Sequence, residues 1–329
     1  MRRWPRWLGL SLALVVAGCG GHGAARAPAR AGKAGVPFAV ELSATPFFPQ
    51  EAYQCGPAAL ATVLRASGVD VSPGELAPQL YLPERRGSLQ LELLAASRRH
   101  GRLPYPIEGG PAELAAELEG GRPVLVMQNV GLGPWPVWHY AVVVGLDEGR
   151  DEYLLRSGGR ARLAMAGSRF LRSWRLAGQW GLVILRPGEL PARPDRTRYL
   201  KAVAALEGGG QPAAARVAYR AALEQWPGEA VARLGLGNVA LALGEAHEAE
   251  GIYRQLLDDD PGNASARNNL AQALAEQGCY SAALHEIDRA RAQAGEGAPL
   301  AEVLAQTRSE IVIRAAQEGG EGDCRGHDP

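Results

Sequence analysis

Two side chains that together can cleave an amide bond, Cys55 and His139, lie in different parts of the sequence. A thiol is a strong nucleophile only as the thiolate, and the N-terminus of a helix stabilises that anion. Cys55 stands directly before Gly56-Pro57, and proline favours the first turn of a helix because no N–H donor is needed there. His139 begins an apolar stretch with strand character, and an imidazole on a strand can move the protons of thiol attack. We predict Cys55 as nucleophile and His139 as general base and acid.

A side-chain amide upstream of the cysteine can supply a further part of such a site. Gln50 lies five residues before Cys55, and Gln54 lies immediately before it. Either amide, together with the backbone N–H of Cys55, can stabilise the oxyanion that forms when a carbonyl is attacked. Gln54 would have to double back to reach that oxygen, so the spacing favours Gln50.

The elements that must position these residues change type along the chain. From Gly56 to Gly121 the pattern predicts helices, including a capping box at Ser72–Glu75 and a helix from Leu89 to His100 capped by Ser88. After Pro123 the period becomes that of strands, which are predicted at 124–127, 140–146, 153–156 and 181–185, in addition to a short strand at 36–40. Helices followed by an antiparallel sheet indicate an α+β domain.

Beyond Arg196 the sequence is helical and repeats every 34 residues, the interval between Pro227 and Pro261. Each copy has a small residue, a large residue and a Leu-small pair at fixed places: Ala215, Ala249 and Ala283; Tyr219, Tyr253 and Ile287; 236–237, 270–271 and 304–305. This pattern resembles the tetratricopeptide repeat, whose helix pairs stack into an array that binds peptides or helices. We predict an all-α repeat domain that ends in a capping helix near residue 317.

The N-terminus has the parts of a bacterial lipoprotein signal. Three arginines within residues 2–6 precede an apolar run, 8–16, that is too short to span a membrane. The following Val-Ala-Gly-Cys resembles a lipobox and predicts lipidation of Cys19, which anchors the chain without a membrane span. Gly20, rather than Asp, favours the periplasmic face of the outer membrane, and residues 20–36 are expected to form a flexible tether.

Several motifs together resemble the bacteriocin-processing, double-glycine-leader cysteine peptidase family and its stand-alone relatives. They are the Gln…Cys-Gly-Pro-Ala-Ala-Leu helix start, the Gly-x-Pro-Val strand at 121–124, and His139 before a valine-rich strand ending at Gly145. The resemblance covers about residues 36–187 and implies a papain-like fold and thiol hydrolysis of peptide bonds. The best-known members cut after Gly-Gly, are fused to export ATPases, and place the glutamine five or six residues before the cysteine, as Gln50 is. No G-x-x-x-x-G-K-[ST] loop of an ATPase is present here.

The third catalytic position departs from this family, which carries Asp or Asn on the strand after the histidine. If Asp147 to Asp151 forms the turn, His139 faces about Ser157 to Gly159 on the return strand. The two aspartates would be roughly 26 Å away at ~3.3 Å per residue, which excludes them. Ser157 is therefore the positional candidate. Its hydroxyl can accept a hydrogen bond from the imidazole Nδ1–H but brings no charge to stabilise an imidazolium.

Composition narrows the remaining classes of function. Lys plus Arg and Asp plus Glu both total 35, so no excess of basic residues indicates a nucleic-acid partner. No Cys or His spacing indicates a metal site, and we predict no cofactor. Cys279 and Cys324 can pair in an oxidising periplasm.

We therefore predict an α+β papain-like cysteine peptidase domain at 37–188, a linker at 189–196, tetratricopeptide repeats at 197–317 and a disordered tail at 318–329. The leading function is an envelope-tethered cysteine peptidase that acts on a peptide or protein substrate, with the repeats recruiting a protein partner. Two alternatives stay open. One is a catalytically degenerate peptide-binding adaptor in an envelope or export complex, which Ser157 favours, and the other is a papain-like acyl transferase.

Overall fold

The computed structural model describes residues 38–50, 54–85, 87–108, 110–132, 135–294 and 299–318. The predicted lipidation site Cys19, the tether at 20–36 and Cys324 lie outside the described residues. No helix in the described ranges is both long enough and apolar enough to cross a membrane.

One seven-stranded antiparallel sheet forms the frame of the N-terminal domain. Its strands are β1 (Ala39–Glu41), β2 (Leu103–Ile107), β3 (Val124–Asn129), β4 (Trp138–Asp147), β5 (Glu152–Ser157), β6 (Arg160–Ala166) and β7 (Gly181–Leu185). The order is β2-β7-β3-β4-β5-β6, and β1 pairs with the C-terminal end of β4. The four strands predicted after Pro123 correspond to β3, β4, β5 and β7.

Helices cover both faces of this sheet. They are α1 (Cys55–Ala66), α2 (Pro73–Leu80), α3 (Gln90–Arg99), α4 (Gly110–Glu119) and α5 (Gly167–Arg175), with a short 3₁₀ turn at Pro83–Arg85. On one face Leu60 and Leu64 of α1 share a core with Val142 and Val144 of β4. On the other face Ala141 and Val143 belong to a second core, which includes apolar residues of α4 and α5. The central strand β4 is thus buried from both sides.

Four local predictions were incomplete or wrong. Strand β2 was missed because its sequence contains Pro104 and Pro106, but β2 is an edge strand, where the missing N–H groups can face away from the sheet. The edge strand β6 and helix α5 were also missed. Ser88 does not cap α3, because that helix begins at Gln90 after Leu89 and the Ser88 hydroxyl is buried without a hydrogen bond. The Ser72–Glu75 capping box is confirmed.

Seven helices make up the C-terminal part: α6 (Arg196–Glu207), α7 (Pro212–Gln225), α8 (Ala230–Ala242), α9 (Ala246–Asp259), α10 (Ala264–Glu276), α11 (Tyr280–Ala294) and α12 (Ala301–Glu318). The repeated alanines at 215, 249 and 283 are fully buried, as the close approach of paired helices requires. Cys279, just before α11, is buried and disulfide-bonded.

Gly237 in α8 shows how closely the repeats pack. A methyl group added there would collide with the ring of Tyr253 in α9. We expect Gly237→Ala to lower the free energy of unfolding by ~1–3 kcal/mol, because the ring has to move out of a filled interface. Gly251→Ala in α9 is the matched control: no atom lies within 4 Å of its added methyl, so alanine should stabilise the helix by ~0.5–1 kcal/mol. Urea unfolding measures both, and equal effects would contradict the tight packing.

The predicted linker has no regular secondary structure, but it is bound to both domains. The Ala192 N–H donates to Glu117 of α4 at 2.7 Å, and the Tyr199 hydroxyl of α6 donates to the Glu189 carbonyl at 3.2 Å. Arg198 of α6 forms an ion pair with the buried Glu113 at 3.0 Å. A single apolar core continues from the sheet through α6 and α7 into α8. The segment predicted as a linker is thus held by one hydrogen bond to α4 and one to α6.

Candidate active site

Cys55 is the first residue of α1, the position predicted for the nucleophile. Its thiol is free and partly exposed, and it lies at the border of the core between α1 and β4. The first turn of α1 contains no acidic residue that would oppose a negative charge on the sulfur. Within the described residues the thiol makes no hydrogen bond, including none with His139.

His139 lies near the start of β4, where its backbone pairs with Gln128 of β3. Its Nε2 atom is 2.8 Å from the Oγ atom of Ser157, the last residue of β5. The predicted meeting of His139 and Ser157 is therefore present. Asp147 pairs with Glu152 at the opposite end of the hairpin, in agreement with its exclusion.

The ring nitrogen that meets Ser157 differs from the prediction, which assigned this contact to Nδ1. Extending the β4–β5 pairing of Val142 with Arg156 puts position 159 opposite His139. Ser157 is thus offset by two residues, and the outer nitrogen Nε2 is the one that reaches its hydroxyl. Nδ1, closer to the backbone, has no hydrogen-bond partner among the described residues.

Burial lowers the pKa of His139. Ser157, which is 9% exposed, contributes no charge that would oppose this effect. The neutral imidazole is therefore the favoured form, and it can accept a proton from a thiol. Because the unfolded chain holds that proton more tightly, His139 contributes stability above the ordinary histidine pKa of ~6.5 and loses it as the pH falls below that value.

We expect Ser157→Asp to raise the pKa of His139, because a carboxylate in place of the hydroxyl stabilises the imidazolium. Ser157→Asn is the matched control, since asparagine has nearly the same shape and no charge. NMR titration of the imidazole would show the aspartate variant titrating at a higher pH than the asparagine variant and the wild type. If the two variants titrate together, charge at this position does not control His139.

Gln50 is bound to the strands that carry His139 and Ser157. Its side-chain Nε2 donates to the Tyr140 carbonyl at 3.2 Å, and its Oε1 accepts from the Gly158 N–H at 3.1 Å. The Gln50 N–H also donates to the Gly158 carbonyl at 3.1 Å. Gln50 thus connects the loop before α1 with β4 and with the β5–β6 turn. The second N–H of its Nε2 makes no hydrogen bond within the described residues and is therefore available as a donor.

Gln54 has the less constrained amide of the two candidates. It occupies the N-cap position of α1 but forms no side-chain cap. Its side chain instead lines an open hollow of about 830 Å³, together with Phe48, Pro49 and Tyr81. Gln50 is thus fixed between β4 and the β5–β6 turn, whereas the side chain of Gln54, next to Cys55 in the sequence, makes no capping bond.

The connection between β3 and β4 projects aromatic residues next to His139. Asn129 Oδ1 accepts hydrogen bonds from the N–H groups of Gly131 and Val137, both at 3.0 Å, and so fixes the base of the hairpin. Trp135 and Trp138 are 72% and 53% exposed, so much of each ring faces solvent rather than the sheet.

Other aromatic residues of the site region are internal. Tyr140 is buried, donates to the Ser88 carbonyl at 3.2 Å and meets Trp180 edge-on. Trp174 is fully buried, as predicted. Within the described ranges no cluster of His, Cys, Asp and Glu could hold a metal ion.

Comparisons with known proteins describe both parts of the chain. Residues 42–179 match the Peptidase_C39 like family, and residues 199–263 and 234–299 match the tetratricopeptide repeat. A solved structure of a C39-like peptidase from Bacillus anthracis is 17% identical and covers 45% of this chain and 98% of its own, with a TM-score of 0.38, too low to support an argument. No curated protein matches the chain. On the two family matches, the chain carries a Peptidase_C39-like domain followed by tetratricopeptide repeats.

Proposed function

We propose that this protein is a cysteine peptidase of the bacterial envelope, with Cys55 as the nucleophile and His139 as the proton carrier. The observation that supports this most directly is the contact of Ser157 with His139 Nε2, which holds the ring; within the described residues Nδ1 has no hydrogen-bond partner, so it is the nitrogen we assign to the thiol proton. The position of Cys55 at the start of α1, within a Peptidase_C39-like domain, supports the same assignment.

The reaction follows from these roles. His139 takes the Cys55 proton as the sulfur attacks the carbonyl carbon, and the resulting oxyanion is stabilised by the Cys55 N–H and the second Nε2–H of Gln50. The C–N bond then breaks, and His139 gives the proton to the leaving amine. Water, deprotonated by His139, attacks the thioester; the carboxylic product leaves and the thiol is restored.

His139 acts here from its neutral form. Because burial lowers the pKa of His139 and the Ser157 hydroxyl carries no charge, a standing thiolate–imidazolium pair is less favoured than transfer of the proton during attack. Ser157 is a positioning residue in this scheme: it holds the ring and supplies no charge.

The rest of the chain determines where this chemistry takes place. We infer that lipidation of Cys19 tethers the protein to the periplasmic face of the outer membrane, since the N-terminal sequence resembles a lipoprotein signal. The tetratricopeptide repeats suggest protein–protein interaction, and we infer that they recruit a partner or a substrate to the peptidase domain.

Peptide cleavage in ¹⁸O-labelled water tests the proposed reaction. The wild-type chain is incubated with a peptide library in the presence of EDTA, and new termini are read by mass spectrometry, with an iodoacetamide-treated sample as control. We expect thiol-dependent products that carry ¹⁸O in the new carboxyl group. Products joined to an added amine would indicate the acyl transferase instead. An absence of new termini would favour the adaptor, the alternative to which the uncharged Ser157 points.

A further inference from the structure

Exposed apolar side chains concentrate at the end of the domain that carries the candidate active site. Seven of the fourteen large exposed apolar residues in the described ranges lie there: Leu89, Leu91, Val130, Leu132, Trp135, Val137 and Trp138. Of the other seven, one follows α5 and six are spread over the C-terminal helices and the end of α8. A clustered apolar surface on a folded protein marks a binding site more often than scattered residues do.

Five of these residues form a hairpin tip: Val130, Leu132, Trp135, Val137 and Trp138. The tip directly precedes His139, and the sequence from Asn129 to Tyr140 contains no Asp, Glu, Lys or Arg. The Val130 N–H donates to the Val137 carbonyl at 2.9 Å, so the ends of the tip are paired. The hairpin tip therefore holds an apolar surface next to His139, the proposed general base.

The two leucines lie on the helical side of the same region. The backbone carbonyl of Ser88, which precedes Leu89, accepts a hydrogen bond from the Tyr140 hydroxyl. The side-chain amide of Gln90 donates a hydrogen bond to the sulfur of Met127 at 3.6 Å. The start of α3 is thus held against the ends of β3 and β4, beside the hairpin tip. Leu91 is 72% exposed there.

The hollow provides a second apolar wall, on the side of the nucleophile. Gln54 lines it and is the residue immediately before Cys55. The other described lining residues are uncharged and mostly apolar, among them Phe48, Pro73, Pro78 and Tyr81. At about 830 Å³ the hollow has room for more than one large side chain.

We infer that this site selects a substrate segment with bulky apolar side chains next to the cleaved bond. The inference rests on the proposed function. Successive residues of an extended peptide are ~3.3 Å apart. When a peptide carbonyl lies between Cys55 and His139, the residues on either side of it therefore lie close to the hollow and to the hairpin tip. A Gly-Gly pair would leave both surfaces without contacts, and a charged side chain would lose water without gaining a partner.

The candidate reacting groups favour a peptide substrate over a lipid surface as the occupant of the tip. The tip directly precedes His139, and the hollow is lined by Gln54, the residue next to Cys55. An occupant of both surfaces therefore lies across the residues proposed to cut it.

Binding to the full chain with Cys55→Ala tests this inference without requiring catalysis. The probes are three fluorescein-labelled decapeptides of Ser, Thr and Ala that differ only in a central Leu-Phe, Gly-Gly or Glu-Asp pair. By fluorescence polarisation we expect the Leu-Phe peptide to bind at least ~10-fold more tightly than the other two, the scale on which apolar pockets discriminate. Trp135→Ser should remove most of that preference.

Val231→Ser is the matched control, because Val231 in α8 is 54% exposed and lies in the repeats. It should leave the preference for Leu-Phe unchanged. Equal binding of the three peptides, tighter binding of Gly-Gly, or equal effects of Trp135→Ser and Val231→Ser would each overturn the inference. Failure of the proposed function has a different signature: the ¹⁸O experiment gives no products even where the Leu-Phe peptide binds tightly.

Discussion

His139→Ala is expected to lower kcat/KM for peptide hydrolysis by ~10²–10⁴-fold, the usual contribution of a positioned acid–base group. Cys55→Ala should abolish it, because the acyl-enzyme cannot form. In the wild type, activity should decline with acid only below the ordinary histidine pKa of ~6.5, since burial lowers the pKa of His139 and keeps its neutral form present at lower pH. The pH profile of kcat/KM for a peptide from the ¹⁸O screen measures both effects.

His285→Ala is the control for this pair, because His285 is a half-exposed histidine of α11. It should hydrolyse peptides at the wild-type rate. Circular dichroism shows whether the His139 and Cys55 variants keep their fold. Full activity in a folded Cys55→Ala or His139→Ala variant would remove these residues from the mechanism and with them the proposed reaction.

Gln50→Ala is expected to reduce kcat by ~10²–10³-fold, the effect of removing one oxyanion donor. It also removes both side-chain contacts that tie the loop before α1 to Tyr140 and Gly158. Gln50→Glu separates these roles, because its carboxylate can still accept from the Gly158 N–H but has no N–H to donate. If oxyanion stabilisation dominates, Gln50→Glu should be at least as slow as Gln50→Ala above the ordinary glutamate pKa of ~4.3, because its carboxylate repels the oxyanion.

A role in positioning His139 would give a different result. Gln50→Glu would retain more activity than Gln50→Ala, and the acid limb of the pH profile would move in the alanine variant. Gln54→Ala is the matched comparison, since its amide lines the hollow and makes no capping bond. A large loss in Gln54→Ala alongside a small loss in Gln50→Ala would assign the oxyanion to Gln54.

The meeting of His139 with Ser157 was predictable because it depends on one local hairpin. Once the turn is located at 147–151, antiparallel pairing determines which residues face each other. The identity of the ring nitrogen was not predictable, since it depends on a two-residue offset and on side-chain rotation. The buried positions of Ala215, Ala249 and Ala283 were predictable for a similar reason, because a repeat brings equivalent residues to equivalent places.

Contacts between segments far apart in the sequence could not be predicted from local pairing or from a repeat. Gln50 and Gly158 are 108 residues apart, and no sequence period connects them. Strand β2 was hidden by two prolines, which are tolerated only because β2 is at the edge of the sheet, a fact of topology. The hairpin tip does have a signal in the sequence: an uncharged apolar run between two strands, longer than a simple turn needs.

One apolar core runs from the sheet through α6 and α7 into α8, and it connects the two parts of the chain rigidly. Cutting after residue 188, the predicted end of the peptidase domain, would expose the side of the sheet that Tyr199 and Val203 cover, so the protein does not divide cleanly there. The peptidase domain and first helices of the array should melt in one cooperative step. A molecule bound by the repeats would then have a fixed orientation relative to Cys55 and His139. The distance between the two sites, rather than the motion of a flexible linker, would determine which of its bonds reach them.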